Sequence, residues 1–147
     1  MDEQKIPKKL QEIIEDFQWS EGREKLELLI QYAEKLPPIP QSIAQENGAM
    51  ESVPECMTPV QIQAEVKDGN MMYYFLVPEE SPTVRGFASV MAAGLNGSTP
   101  EQVLSVPNDF FQTMGLDKVL TFQRLNGISA ILSHMKRLAV VALSKDL

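Results

Sequence analysis

The stretch Val60-Gln-Ile-Gln-Ala-Glu-Val-Lys-Asp-Gly-Asn-Met-Met-Tyr-Tyr-Phe-Leu-Val77 decides the fold of this chain, because it reads as a complete β-hairpin. Apolar and polar residues alternate from Val60 to Val66, which is the period-2 pattern of a half-buried strand. Asp68-Gly69 is a strong turn signal, and the run from Met71 to Val77 returns as the second strand. A shorter strand near Met50–Val53 would pair at one edge. The sequence therefore predicts a small antiparallel three-stranded sheet with helices on one face.

Directly before the hairpin lies the segment Val53-Pro-Glu-Cys-Met-Thr-Pro-Val60, which holds Cys56, the only cysteine of the sequence. Prolines on both sides of Cys56 remove backbone donors and fix φ, so the segment can neither continue a helix nor form a central strand. We predict a stiff loop that presents a thiol to a partner with little further loss of backbone entropy. The competing interpretation is an inert buried cysteine, since free cysteine is among the most buried residue types.

Two amphipathic helices are predicted before the loop. The first has its apolar residues at helical spacing up to Phe17, with charged residues on the other face. The second is expected to begin after Ser20 as N-cap, with a buried stripe of Leu26, Leu29, Ile30 and Ala33, and to end before the prolines at 37–40. We expect the two helices to form an antiparallel pair around Phe17 and Trp19.

Several helices are predicted after the hairpin. Ser81-Pro82 is an N-cap followed by proline, and Asn96-Gly97 provides the stop for that helix. Thr99 to Gln102 has the spacing of a capping box and opens a short helix. Another turn or two is expected from Asn108 to Met114, and the last helix follows Thr121. The pattern as a whole predicts an α+β fold in which residues 1–147 form a single domain.

Composition and charge narrow the classes of function. The net charge of −7 argues against a nucleic-acid partner, which would require clustered Lys and Arg. One cysteine and one histidine, His134, cannot make a structural zinc site, and no metal-ligand spacing of carboxylates is seen. The N-terminus lacks a signal-peptide apolar run, and the longest apolar stretch, Leu138–Leu143, is too short to span a bilayer. We therefore expect a cytoplasmic protein without a membrane partner.

Motifs along most of the chain, from about Leu10 to about Leu138, resemble the SufE sulfur-acceptor family of iron–sulfur cluster assembly. Each motif is weak by itself, but four of them in order with fitting spacing are specific. They are the block with Trp19, Arg23, Leu29-Ile30 and Lys35–Pro40; the cysteine block with Val53, Cys56, Val60 and Ile62; the segment with Val84-Arg85-Gly86, Asn96-Gly97 and Thr99-Pro100-Glu101; and Arg124, Asn126 and Gly127 at the start of the last helix.

The resemblance implies a fold and an activity. The family fold is α+β, with a curved three-stranded antiparallel sheet packed by helices, like the scaffold protein IscU. A family member takes sulfur onto its cysteine, here Cys56, from the persulfide of a SufS-like cysteine desulfurase and stimulates that enzyme. It then passes the sulfur to a SufBCD-like cluster scaffold complex. The resemblance implies no cofactor in the acceptor itself, because the pyridoxal phosphate belongs to the desulfurase. The chain would be a monomer or a weak homodimer and would show no turnover alone.

The sequence departs from the family pattern at the predicted site. Glu55 replaces the glycine before the cysteine, Thr58 stands where serine is usual, Gln61 replaces a tryptophan and Phe122 a proline. A carboxylate beside the thiol opposes formation of the thiolate. Glu55 and Thr58 are therefore candidate loop-positioning or partner-binding residues.

Two arginines complete the candidate site. Arg124 lies near a helix start, which is an unfavourable place for a cation, so we expect it either to tie down the cysteine loop or to contact the desulfurase. Arg85 is expected to be a solvated helix residue that can also line the partner surface.

Two other functions stay open at this stage. A non-covalent adaptor could keep the fold and docking surface without relaying sulfur, and the Glu55 departure makes this alternative worth carrying. A thiol-dependent enzyme could instead use Cys56 with His134 as its base. His134 lies beside Lys136 and Arg137 on the predicted polar side of the last helix, where an ordinary surface histidine is the simpler expectation.

Overall fold

The computed structural model describes residues 6–44 and 50–145 of the chain. Helices precede and follow a three-stranded sheet, which makes the fold α+β as predicted. The elements are α1 (Lys8–Trp19), α2 (Arg23–Ala33), α3 (Gln41–Ala44), β1 (Glu51–Ser52), β2 (Gln61–Lys67), β3 (Asn70–Leu76), α4 (Pro82–Leu95), α5 (Pro100–Leu104), α6 (Phe110–Thr113), a 3-10 turn (Leu116–Lys118) and α7 (Phe122–Lys145).

The hairpin of β2 and β3 forms around the predicted turn. The strands pair antiparallel in unbroken register, with Ile62 opposite Phe75. Asp68 and Gly69 both take positive φ, 54° and 82°, which is the geometry that a tight two-residue turn demands and that Asp-Gly tolerates. The short strand β1 pairs with the other side of β2, so the sheet order is β1-β2-β3.

The core lies between one face of this sheet and the helices behind it. α7 packs against β2 and α4 against β3. Met71, Tyr73 and Phe75 alternate along β3 and are all buried. The hydroxyl of Tyr73 donates to the carbonyl of Met135 in α7 at 2.8 Å, so the one polar atom of this buried ring is satisfied. The hairpin is thereby joined to the last helix.

The segment after α4 covers the outer edge of β3. The backbone N–H of Tyr73 donates to the side-chain oxygen of Asn96 at 2.8 Å, and Met71 exchanges backbone hydrogen bonds with Gly97 and Ser98. Asn96-Gly97 therefore ends the helix, as predicted, and also supplies the partners that an edge strand lacks.

Helix α2 differs from the prediction in where it begins and in which residues it buries. Ser20 does not cap α2, because its hydroxyl bonds back to Asp16 in α1 and the helix begins after Gly22. The buried stripe of α2 includes Lys25, which is 8% exposed, while Ile30 is exposed and Leu26 only half-buried. The ammonium of Lys25 donates to the carbonyls of Phe17 and Ser20. It thereby satisfies acceptors at the end of α1, which is why a cation is tolerated there.

The expected pairing of α1 with α2 around Phe17 and Trp19 is also wrong in part. Phe17 is fully buried and its ring stacks on Tyr32 of α2, with centroids 6.0 Å apart. Trp19 is 86% exposed. Both helices pack mainly against α4, so α4 is the element that organises them.

α7 is long and apolar enough, by length and composition alone, to cross a membrane. Its buried residues face the sheet and α5 and include Ile128, Ile131, Leu132, Met135 and Ala139. The exposed positions carry charged side chains such as Arg137 and also the apolar side chains of Phe122, Val140 and Val141. The buried apolar stripe is typical of a helix that packs on a protein core.

Candidate functional site

The cysteine loop, residues 53–60, is closed by backbone hydrogen bonds at its base. The N–H of Val53 donates to the carbonyl of Val60 at 2.9 Å, and the N–H of Cys56 donates back to Val53 at 3.1 Å. Val53 and Val60 are both buried and anchor the loop ends in the core. Between them the chain makes turns, in keeping with the prolines at 54 and 59. The structure therefore contains a loop where one was predicted, with both of its ends anchored.

Thr58 is fixed from outside the loop. Its hydroxyl lies 2.6 Å from the hydroxyl of Ser81, the residue before α4. Ser81 occupies the predicted N-cap position, but its side chain makes no capping bond to the helix. Pro82 at the first helical position already fixes φ and removes one orphan donor. The Ser81 hydroxyl is thereby left to hold the loop.

The thiol of Cys56 is half-buried against the first turns of α7. Its Sγ lies 3.3 Å from the carbonyl oxygen of Gly127, to which the S–H donates. Gly127 also provides the room, since a Cβ at that position would lie 3.2 Å from the sulfur. Gly127 thus contributes close packing, as the sequence suggests, together with an acceptor that the sequence does not reveal.

The surroundings of the thiol keep it protonated. Burial raises the pKa of Cys56, and the neighbouring Glu55 carboxylate raises it further, to about 11. The hydrogen bond to Gly127 is one that only the neutral thiol can donate. At rest the sulfur is therefore a weak nucleophile, because the thiolate is the reactive form.

An open cleft of about 400 Å³ borders the thiol. It lies between the cysteine loop and the N-terminal ends of α4 and α7. Its lining includes Cys56, Thr58, Ser81, Val84, Thr121 and Arg124. Met57 on the loop is 78% exposed, and Phe122 at the start of α7 is 86% exposed. Most other methionines pack in the core, so Met57 is an exception that gives this region an apolar surface.

Arg124 lines this cleft but does not bond to the loop. Its backbone N–H donates to the hydroxyl of Thr121, which caps α7, and its guanidinium donates to the hydroxyl of Thr83 in α4. It therefore bridges the starts of the two helices and places a positive charge beside the cleft. Two roles were predicted for Arg124: holding the cysteine loop or contacting the desulfurase. Among the described residues, Arg124 makes no hydrogen bond to the loop, so the first role is not supported.

Glu55 points away from the cleft towards the middle of α7. One of its carboxylate oxygens lies 3.4 Å from Nε2 of His134, and Nδ1 of the same ring lies 2.8 Å from Glu51 in β1. Both ring nitrogens thus face carboxylates, and the imidazole is not the hydrogen-bond partner of the thiol. His134 is only 18% exposed at its side chain, so it is not the ordinary surface residue that its sequence neighbours suggest.

Arg85 does not line the thiol cleft. Its guanidinium donates to the carbonyl of Ala33 at 3.2 Å and to that of Val77 at 2.7 Å. These carbonyls end α2 and follow β3, so Arg85 joins three elements. The expectation of a solvated helix residue is therefore wrong. Sequence periodicity places Arg85 correctly on α4 but does not reveal the two acceptors that hold it.

Comparisons with known proteins agree with the motifs. A family profile described as the SufE Fe-S metabolism associated domain matches residues 11–139. A SufE-like protein of Mycobacterium tuberculosis is 41% identical over 133 residues, which cover 90% of this chain and 92% of the relative. The cysteine desulfuration protein SufE of Plasmodium vivax is 25% identical over 140 residues, covering 92% of this chain and 54% of that protein.

A solved structure has the same architecture. The solution structure of a hypothetical protein from Thermus thermophilus superposes with a TM-score of 0.84 at 37% sequence identity. The match covers 95% of this chain and 98% of that chain. The arrangement of sheet, cysteine loop and helices described above is therefore that of a known fold.

Proposed function

Because the chain belongs to the SufE family of iron–sulfur metabolism proteins, we propose that Cys56 accepts sulfur from the persulfide of a cysteine desulfurase. One observation supports the proposal most: the only thiol of the chain borders an open cleft, on a loop whose two ends are anchored in the core. Exposed Met57 and Phe122 beside it offer apolar surface for a docked protein. The cationic Arg124 in the cleft favours an anionic persulfide nearby.

The transfer is a thiol exchange with no net oxidation. Cys56 Sγ, as thiolate, attacks the outer sulfur of the desulfurase persulfide, the S–S bond of the donor breaks, and the donor cysteine leaves as thiolate. The proton lost from Cys56 passes to that leaving thiolate or to water. A thiol with a pKa of about 11 is ionised in only about one molecule in ten thousand at pH 7. Docking therefore has to move the thiol away from Gly127 and into a better solvated or more positive environment.

The proposed partners follow from this role. The desulfurase, of the SufS kind, carries the pyridoxal phosphate and generates the persulfide. A scaffold complex of the SufBCD kind receives the sulfur from Cys56. The acceptor works in the cytoplasm with these partners and has no turnover alone.

The direct test is the mass of Cys56 after reaction. We expect incubation with a cysteine desulfurase and cysteine to add the mass of sulfur at Cys56, seen by mass spectrometry without reductant, and to increase the rate of sulfide release. Cys56→Ser should lose both effects while keeping its circular dichroism and its binding to the desulfurase. Full stimulation by the folded Cys56→Ser variant would refute the covalent role.

A second function is favoured by one feature, the protonated resting state of the thiol. A chain whose only cysteine is buried against Gly127 beside a carboxylate could serve as a non-covalent adaptor that docks on a desulfurase. Stimulation that survives loss of the thiol would select this alternative. An enzyme with a Cys56–His134 pair is disfavoured, because the imidazole nitrogens face Glu51 and Glu55.

A further inference from the structure

A cluster of ionisable side chains lies beside the cysteine loop, on the side away from the cleft. It consists of Glu51 in β1, Glu55 in the loop, and His134 and Arg137 in α7. Glu51 accepts hydrogen bonds from both α7 residues, and Nε2 of His134 lies 3.4 Å from a carboxylate oxygen of Glu55. His134 donates to Glu51 and Glu55 together when its ring carries a proton on both nitrogens. Burial raises the pKa of Glu51, but the bonds from Arg137 and His134 outweigh burial and lower it overall. Glu51 is therefore the fixed anion on which the cluster is built.

Geometry relates this cluster to the thiol. Glu55 and Cys56 are adjacent, and they contact α7 at His134 and Gly127 respectively. Seven residues separate these contacts, which places them on the same face of the helix and about 10 Å apart. The loop is thus attached to α7 at two points, one of which is the thiol itself. Loss of the His134 contact leaves the thiol hydrogen bond alone to hold this part of the loop on the helix.

We propose that His134 is a positioning residue for Cys56, which holds Glu55 against α7 and thereby keeps the thiol in its buried resting position. Release of this contact lets the loop move off the helix and exposes the sulfur to the cleft. The assignment rests on the proposed function only in naming Cys56 as the sulfur acceptor. Glu55, a departure from the family pattern, then serves as the attachment point of the loop.

Release of Glu55 has two opposing effects on the reactivity of the Cys56 thiol. The larger of the two decides whether the thiol becomes more or less reactive. A freed Glu55 carboxylate disfavours the thiolate by its charge, whereas exposure of the sulfur removes the desolvation that disfavours it. Desolvation is the larger cause of the raised pKa of Cys56. Release should therefore make the thiol more reactive.

The test measures alkylation of Cys56 by iodoacetamide in the protein alone, with His134→Ala, Glu55→Gln and the double variant. If exposure lowers the apparent pKa of the thiol by about one unit, alkylation at pH 7.5 becomes about tenfold faster in His134→Ala. Glu55→Gln should also react faster, and the double variant close to the faster single variant, because both changes remove one contact. Lys136→Ala is the matched control, since Lys136 bonds to Asn108 instead.

The dependence of the alkylation rate on urea distinguishes local release of the loop from destabilisation of the whole protein. Local release of the loop exposes little surface, so the faster alkylation should not depend on urea below the unfolding transition, whereas global destabilisation would make it rise steeply. Alkylation at the parent rate in both single variants overturns the proposal. The proposal is also overturned if the acceleration of alkylation in the double variant equals the product of the two single accelerations. An acceleration that rises with urea would overturn it as well. No desulfurase is present, so failure here is separate from failure of sulfur transfer.

Discussion

The Cys56 thiol combines two requirements that oppose each other. In the role that we propose for it, the thiol must be reachable by a partner, yet a free exposed thiolate is open to oxidation and adventitious alkylation. The structure meets both by placing the sulfur at the border of a cleft while a backbone carbonyl accepts its proton and a carboxylate lies next to it. On this proposal, reactivity depends on movement of a short loop. It does not require chemical change elsewhere in the molecule.

The raised pKa of the thiol also makes stability depend on pH. The thiol has a pKa of about 11 in the folded chain and about 8.5 when unfolded. Between these values the unfolded state binds fewer protons than the folded state, so the free energy of unfolding falls as pH rises. The stabilisation that the protonated thiol contributes is complete below the pKa of the unfolded state, and it is lost as the pH approaches the pKa of the folded state.

We expect Cys56→Ala to show a shallower fall in the free energy of unfolding between about pH 8 and pH 10.5 than the parent, measured by urea denaturation. Burial also raises the pKa of Tyr32, Tyr73 and Tyr74, but these residues are present in both proteins and their effect cancels in the difference. Equal slopes in the two proteins would mean that the thiol is not protected in the folded state.

At the scale of elements, the middle of the β3 edge depends on one side chain. The Tyr73 N–H has the Asn96 side-chain oxygen as its acceptor, because no strand formed by the described residues lies on that side. Asn96→Ala leaves this donor without a protein partner, and we expect a loss of about 1–3 kcal/mol in the free energy of unfolding. Asn96→Asp keeps an acceptor oxygen and should retain most of the stability in urea denaturation. Similar losses in both variants would show that the amide donor, not the acceptor, matters.

The elements themselves were largely predictable from local patterns. The Asp68-Gly69 turn, the capping box from Thr99 to Gln102 and the start of the last helix after Thr121 all occur where the sequence predicts them. Each depends on residues close in sequence, whose conformational preferences are intrinsic. The starting point of α2 was missed because Ser20, a good N-cap type, finds an acceptor in the preceding helix instead.

The partners of charged side chains were not predictable in the same way. Lys25, Arg85 and His134 are all charged or titratable residues in amphipathic helices, and periodicity assigns such residues to solvent. Each is instead held by acceptors from other elements: carbonyls for Lys25 and Arg85, carboxylates for His134. These acceptors lie outside the helix that carries the side chain, so periodicity along that helix does not reveal them. The cysteine loop was predictable because its prolines act locally.

For the molecule as a whole, α4 is the helix around which the others are arranged. Ten of its 14 residues are buried, and it contacts α1, α2, α7 and β3. Two glycines of α4 allow α1 and α2 to approach it closely. A Cβ at Gly86 would lie 2.0 Å from the backbone carbonyl oxygen of Leu29 in α2, and a Cβ at Gly94 would lie 2.7 Å from a side-chain methyl of Leu10 in α1. The first contact is a severe overlap with backbone. In the second the nearest atom is a side-chain methyl that can rotate, and Leu10 Cβ and Cα, at 3.0 and 3.1 Å, need to shift only slightly.

This difference predicts an order of stabilities among three Gly→Ala variants. Gly86→Ala should force α2 away from α4 and lower the free energy of unfolding by more than about 3 kcal/mol, beyond any gain in helix propensity. Gly94→Ala should cost about 1–2 kcal/mol, because Leu10 can shift. Gly22→Ala meets no atom within 4 Å, but φ 52° with ψ −118° is a backbone conformation that favours glycine, so we expect strain of about 1–3 kcal/mol without any steric clash.

Urea denaturation followed by circular dichroism measures this order directly. Failure of Gly86→Ala to fold agrees with the expectation, since it is the extreme of the same effect. A Gly86→Ala variant as stable as Gly94→Ala would show that α2 can move outwards at little cost. The packing of α2 on α4 would then contribute much less to the fold than the contact at Leu29 implies, and the organising role of α4 would rest on α1, α7 and the sheet.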